Sequence, residues 1–347
     1  MTTRDEIIKA IKSPEYDFLK TDEHLGKNII LLGLGGSRSY GVEKEDGTSD
    51  FDVRGIALNS KNEILLGRDF HQIVETDTDT TIYSFNKIIQ LLSESNPNTI
   101  ELLGLKDEHY FYLHPLGKEL LENKDMFLSQ QCIPKFVQYA NSQLRRMESK
   151  AASVAGQKQR EEHILKSIQC AEYVFKEKYF PYSDGCIKLY TDISHQEGYE
   201  SEVFMDLNLP HYPLRDWTSM WNEMKAIVTG YSKIGKRNEK AIAHDKLGKH
   251  ISCLTMLYEK AIDLLEKGEI ITYREAEHDL HMRLRAADPE FLDNNRQPTS
   301  AFYDLLNEYE KRFKYASKHT NLPLSPDYKR IDEFKAYVNE KVVFGDF

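Results

Sequence analysis

The stretch from Leu32 to Gly55, LGLGGSRSYGVEKEDGTSDFDVRG, limits what this chain can fold into more than any other. Asn28 to Leu34 is a near-continuous apolar run, which predicts a strand buried on both faces. The run ends in Gly35-Gly36-Ser37, and twelve residues separate Ser37 from the pair Asp50 and Asp52. These two acids alternate with Phe51 and Val53, and Ile56 follows, so the spacing predicts a second strand with both carboxylates on one face. Carboxylates so placed repel one another unless cations lie between them.

That repulsion points to chemistry. Mg²⁺ takes oxygen ligands, usually one or two carboxylates together with substrate phosphates, and two such ions can clamp the attacking and leaving oxygens of a phosphoryl transfer. Gly35 and Gly36 lack Cβ atoms, so successive backbone amides there can form an anion nest, and the Ser37 hydroxyl can donate to a terminal phosphate. Arg38 to Gly41 then predicts a short helix whose N-terminus faces the same anion. Taken singly, each half has an ordinary explanation: solvated acids in a turn-rich segment, or a common strand-to-helix turn.

Two competing glycine motifs fail. In GLGGSR the third glycine of a dinucleotide fingerprint is replaced by Arg38, and no acidic residue ends a following strand at the required distance. No GxxxxGK[ST] occurs, which argues against a P-loop, and no GxSxG supplies a nucleophile elbow.

An apolar strand, Gly-Ser, about a dozen residues and Asp-x-Asp between apolar neighbours together resemble the signature of the DNA polymerase β nucleotidyltransferase superfamily. Asp79 to Leu103, DTTIYSFNKIIQLLSESNPNTIELL, is similar to the second block of one branch, the predicted nucleotidyltransferases associated with RNA repair and also found in phages. Asp79, Lys87, Asn96-Pro97 and Glu101-Leu102-Leu103 carry that likeness. FVQYANSQLRR, from Phe136 to Arg146, resembles a further helix of the branch, and Lys246 to Leu254 resembles a helix with Lys and His four apart. One departure stands out: where the resemblance leads to an arginine three residues after His250, this chain has Cys253.

The resemblance implies an α+β fold. Residues 1–125 would form a small mixed sheet flanked by helices, the catalytic domain. Residues 126–347 would form a mainly helical domain covering nucleotide and acceptor. It also implies catalytic and metal-binding roles for Asp50, Asp52 and a third acid. Glu75, Asp77 and Asp79 alternate along one candidate strand. Asp79 stands where the family's acid stands, with Asp77 as the alternative. Nucleotide contacts are expected from Gly35, Gly36, Ser37, Arg38, Arg54, Lys87, Lys246 and His250. Arg38 has a second expected partner in Asp46. The implied reaction moves a nucleoside monophosphate from a nucleoside triphosphate such as ATP to an acceptor hydroxyl, with Mg²⁺ or Mn²⁺ and release of pyrophosphate.

Composition bears on acceptor and compartment. With 347 residues, 40% of them hydrophobic, the chain can bury the cores of two domains. No apolar run approaches the roughly 18 residues a membrane helix needs, and MTTRDEIIKAI reads as an amphipathic helix rather than a signal peptide. Cys132, Cys170, Cys186 and Cys253 are scattered without a CxxC, so reduced thiols and cytoplasmic residence are expected. The net charge of −10 gives no overall excess for gripping long nucleic acid. Local basic runs, Arg145-Arg146 and Lys233 to Arg237, leave a small RNA end open as acceptor. A protein side chain, a small molecule or a second nucleotide fits the same chemistry, and a non-catalytic nucleotide-binding or antitoxin-like module is the alternative of another class. Oligomeric state is not encoded in these residues.

Beyond residue 130 the periodicity turns helical. Ile133, Phe136, Val137, Ala140, Leu144 and Met147 form one stripe, Ile164, Ile168, Ala171 and Phe175 another. Leu247, Ile251, Leu254, Tyr258, Ala261, Ile262 and Leu265 form a third, closed by Gly268. Between them, Tyr182 to Gly185 and Pro210 to Pro213 predict an irregular region with short helices around Trp217 and Trp221.

Overall fold

The computed structural model describes residues 4–43, 49–154, 187–193, 201–218, 220–222, 225 and 247–346. They divide into two compact units. The first comprises Met1–Ser142, Ser252–Arg285 and Leu305–Phe347; the second comprises Gln143–Ile251 and Ala286–Asp304. The chain therefore does not separate at the expected boundary of 125/126. C-terminal segments return to the first unit, which no local pattern announces.

In chain order the described elements are α1 (Arg4–Ile11), α2 (Phe18–Thr21), β1 (Ile29–Leu34), α3 (Gly36–Ser39), β2 (Val53–Ala57), α4 (Lys61–Leu66), β3 (Gln72–Glu75), β4 (Thr80–Ser84), α5 (Phe85–Ser93), β5 (Tyr110–Leu113), α6 (Pro115–Glu122) and α7 (Cys132–Val154). There follow β6 (Ile187–Ile193), β7 (Ser201–Leu207), α8 (Leu247–Lys267), α9 (His278–Arg285), α10 (Ser300–His319) and α11 (Tyr328–Phe344). The fold is α+β, a small mixed sheet followed by a mostly helical C-terminal region.

The first unit is built on a five-stranded sheet of order β3-β4-β2-β1-β5. β1 pairs antiparallel with β2 and β5, whereas β2 and β4 run parallel with Val53 opposite Thr80 and Ala57 opposite Ser84. All six residues of β1 are buried, as its apolar run predicts. Leu32, Val53, Ala57 and Ile82 pack with Tyr16, Leu19 and Leu25 of the N-terminal segment into one core cluster. α6 approaches β1 so closely that a Cβ on Gly117 would stand 2.2 Å from the Ile30 carbonyl oxygen.

α5 shows how sequence makes these elements. Ser84 accepts the Lys87 amide at 3.2 Å as N-cap, and Phe85, Ile88, Ile89 and Leu92 recur at three and four and are all buried. Each such burial contributes about 1.5–3 kcal/mol. α11 packs on α4 and α5, with the Phe85 and Phe334 rings 6.1 Å apart edge to face.

The predicted stripe of α8 is present, with Leu247, Ile251, Leu254, Ala261, Ile262 and Leu265 all buried, and Gly268 follows it at φ +67°. In the second unit, β6 and β7 form an antiparallel pair within a region expected to be irregular. Its residues alternate too weakly to separate strand from loop. The stripe at Ile164–Phe175, the segment 182–185, the basic run 233–237 and Cys170 and Cys186 lie outside the described residues. No helix among the described residues is long and apolar enough to cross a membrane.

Candidate active site

The glycine turn leaves the C-terminal end of β1. Leu34 pairs with Val53, and the ladder continues one step further as the Gly35 amide donates to the Asp52 carbonyl at 2.7 Å. Gly35 therefore spends its N–H on the sheet rather than on an anion nest. Gly36 and Ser37 head the one-turn helix α3, where first-turn amides have no intrahelical acceptor.

Gly36 is the tightest point. Its φ is +59°, a conformation other residues rarely adopt, and a Cβ there would lie 1.3 Å from Asp52 Oδ2. The Asp52 carboxylate thus rests directly over the glycine turn. Glycine is required at this position both for backbone conformation and for space.

Asp50 and Asp52 precede β2 rather than lying within it, since the strand begins at Val53. The backbone around Asp50 is held by a side chain instead of a neighbouring strand. Arg38 Nε donates to the carbonyls of Ser49 and Asp50 at 3.0 and 3.1 Å, its Nη2 donates to Ser49 at 2.6 Å, and its guanidinium lies 3.9 Å over the Phe51 ring. Arg38 is buried. These contacts make it a clamp for the acidic loop, and Asp46 lies outside the described residues. The Tyr16 hydroxyl adds a second tie, donating to the Phe51 carbonyl at 3.1 Å. Burial, followed by the negative charges of Glu15, Asp52 and Asp50, pushes that phenol above its ordinary value of 10.

The third acid is arranged otherwise than expected. Glu75 ends β3, residues 76–79 form a turn, and β4 starts at Thr80, so Glu75, Asp77 and Asp79 do not share one strand. The Thr-rich polar run is the hairpin's turn. Asp79 nevertheless immediately precedes Thr80 just as Asp52 precedes Val53, its parallel partner. It sits at φ +43°, exposed, and is engaged by Arg54: Nη2 lies 3.1 Å from Asp79 Oδ1, and Nη1 donates to both the Val53 and the Asp79 carbonyls. Asp77 is exposed in the turn. Among the described residues no group of three or more His, Cys, Asp or Glu side chains gathers as a metal-binding cluster.

Lys87 is not brought to this end of the sheet. α5 starts after Ser84, opposite Ala57, and the five residues of β4 place that end about 15 Å from Asp79 at the rise of a strand. There Lys87 Nζ donates to Gln90 Oε1 at 3.1 Å. Its sequence proximity to Asp79 misleads because a whole strand intervenes. His250 lies half-buried in the first turn of α8, and Lys246 lies outside the described residues.

Sequence reasoning overlooked Lys260. It is buried on α8, and its Nζ donates to Glu101 Oε2 and to the Tyr40 hydroxyl, both at 2.7 Å, while Tyr40 also donates to Glu101. Tyr40 is the residue that ends α3, so this network ties α8 to the glycine turn. A narrow crevice runs beside it, lined by Gly35, Arg54, Tyr83, Asn98 and Glu101 among others. The available signal was a run of charges, Glu259, Lys260 and Asp263, inside the apolar stripe of α8; such residues are buried only when paired.

A glycine turn joining two antiparallel strands, an acidic pair at the start of the second, and a third acid at the same end of a parallel neighbour define a DNA polymerase β-type nucleotidyltransferase fold. Residues 11–179 match the model of the RNA repair pathway DNA polymerase beta family, and over that span the chain is similar to the DNA polymerase β-like nucleotidyltransferases. No curated protein and no solved structure matches the chain significantly.

Proposed function

We propose that this protein transfers a nucleoside monophosphate from a nucleoside triphosphate to an acceptor hydroxyl and releases pyrophosphate, with an RNA 3′ end as the acceptor. The observation that carries the reading is the Asp52 carboxylate seated over Gly36, at the first turn of α3 whose amides have no intrahelical acceptor. A carboxylate beside a phosphate cradle repels the phosphate unless a cation lies between them, and an all-oxygen donor set suits Mg²⁺ or Mn²⁺. Asp50 and Asp52 would hold that ion, which when bound neutralises the triphosphate and acidifies the acceptor hydroxyl.

The chain's own groups account for the remaining work. The amides of Gly36 and Ser37 and the Ser37 hydroxyl orient the outer phosphates. Arg38 and Tyr16 fix the loop that aims Asp50 and Asp52. Asp79 is the candidate to receive the acceptor proton as the new oxygen–phosphorus bond forms and the bond to pyrophosphate breaks. Its release from Arg54 would free both groups, the carboxylate for the proton and the guanidinium for phosphate charge. Catalysis of this kind is mainly positioning and charge neutralisation, in keeping with a site of glycines and carboxylates. The RNA acceptor rests on the family's RNA repair association, and cytoplasmic residence is part of the same proposal.

The test is a transfer assay with each α-labelled nucleoside triphosphate, Mg²⁺ or Mn²⁺, and fractionated cellular RNA, protein and metabolites, run beside Asp52→Ala. Label in the RNA fraction that disappears with the variant is expected. Label in another fraction would replace the acceptor, and no label in any fraction would overturn the reading.

A further inference from the structure

The segment leading out of the glycine turn is covered by a part of the first unit far away in sequence. The Tyr273 ring fills the space over Gly41, with Cε2 only 2.3 Å from where a Cβ would stand. His278, at the start of α9, places Nε2 3.0 Å from the Gly41 carbonyl. One turn on, buried His281 has Nε2 2.8 Å from the Glu259 carboxylate of α8, and Leu284 is fully buried. α9 is thus fixed at both faces, and its last residue, Arg285, has a defined position.

Arg285 is half-buried and lies within electrostatic reach of Asp52, Glu43 and Cys253. Among the described residues its guanidinium makes no hydrogen bond or ion pair. The other described cations around the turn are engaged: Arg38 with loop carbonyls, Arg54 with Asp79, Lys260 with Glu101 and Tyr40. A guanidinium carries five donors and a fixed charge, so partial burial without partners costs free energy that an arriving anion would return. Burial accordingly holds its pKa below the usual guanidinium range, while the charges of Cys253, Glu43 and Asp52 act in the opposite direction.

We propose that Arg285 is an anion-binding residue of this site and receives the phosphates of the nucleoside triphosphate held beside Asp52. The proposal rests on the nucleotidyl-transfer reading above. Arginine suits the task because its planar fork engages two phosphate oxygens at once.

The experiment measures equilibrium binding of ATP, GTP, CTP and UTP with Mg²⁺, and of inorganic tripolyphosphate, to the full chain and to Arg285→Gln and Arg285→Lys. A charge-assisted bidentate contact predicts a loss of about 10–100-fold for Arg285→Gln with both nucleotide and tripolyphosphate. Arg285→Lys should recover part of the loss, and melting temperatures should stay close to wild type. Unchanged affinity in Arg285→Gln, or equal losses in Arg285→Lys and Arg285→Gln, would overturn the assignment and leave nucleotidyl transfer standing. A wild-type chain that binds none of the triphosphates would overturn both readings.

Discussion

Replacing Gly36 with alanine separates backbone strain from the positioning of Asp52, because Gly67 offers a matched control. Gly67 closes α4 at φ +62° with nothing within 4 Å of a Cβ, whereas Gly36 has φ +59° and the Asp52 carboxylate at 1.3 Å. Placing an L-residue in the left-handed region costs about 1–2 kcal/mol at either site. Gly67→Ala should show that cost alone, as a lower melting temperature with transfer activity unchanged. In Gly36→Ala the carboxylate must retreat from 1.3 Å to an ordinary contact, a movement of about 2 Å when heavy atoms meet near 3.5 Å. Misplacement of a reacting group by about 1 Å can cost on the order of 10²-fold in rate. Single-turnover transfer from a labelled nucleoside triphosphate, with thermal melts on the same samples, is the assay. Gly36→Ala should lose at least that factor while melting no more than a few degrees below Gly67→Ala. Equal activities in the two variants would refute the claim that Asp52 over the glycine turn is the working geometry.

Three other outcomes are expected. Asp79→Asn should lower transfer by orders of magnitude and Asp77→Asn little; the reverse ranking in the same assay would move the third acid to Asp77. Lys260→Ala removes the buried partner of Glu101 and should destabilise the chain by about 3–5 kcal/mol in denaturant titration, as breaking buried ion pairs does, so a loss below about 1 kcal/mol would show that Glu101 is neutral or solvated. Asp125 is held below its usual 3.8, first by the Arg330 hydrogen bond and further by its charge. A depressed carboxylate pKa gives stability present above the unfolded value and lost as pH falls through the folded one. The gap in denaturation midpoint between wild type and Arg330→Gln should therefore be full at pH 6 and shrink as pH falls below the ordinary 3.8 of the carboxyl; a gap independent of pH would disprove the pairing.

How far the sequence foretells this structure depends on whether each feature is local. β1, the glycine turn and the acids at the head of β2 are legible because each is written in consecutive residues: an apolar run, two glycines, an alternating Asp pair. The stripe of α8 and its closing Gly268 are legible for the same reason. Arg38 and Lys87 show the limit. Both are cations placed near acids by sequence number. Yet Arg38 bonds to carbonyls eleven and twelve residues away, and Lys87 is carried off by the length of β4. The hairpin turn at residues 76–79 misleads through period-two spacing, which continues through Glu75, Asp77 and Asp79 although the strand stops at Glu75.

Lys260 and Arg285 are the opposite case, residues more than 200 positions from the turn that fold back onto it. Buried charge inside an apolar stripe marks Lys260 as paired, but names no partner; Glu101 and Tyr40 emerge only from the tertiary fold. Arg285 carries no sequence signal at all, since an arginine ending a helix is ordinary charge complementarity to the dipole. Its significance comes from what the folded unit denies it, an ion pair, within reach of the carboxylate that sits over Gly36. The strands that carry the glycine turn and the acids are thus encoded near the N-terminus. Arg285, the cation proposed to receive phosphate, comes from a helix whose sequence fits many sites equally well, and only the packing of α9 beside the glycine turn selects it.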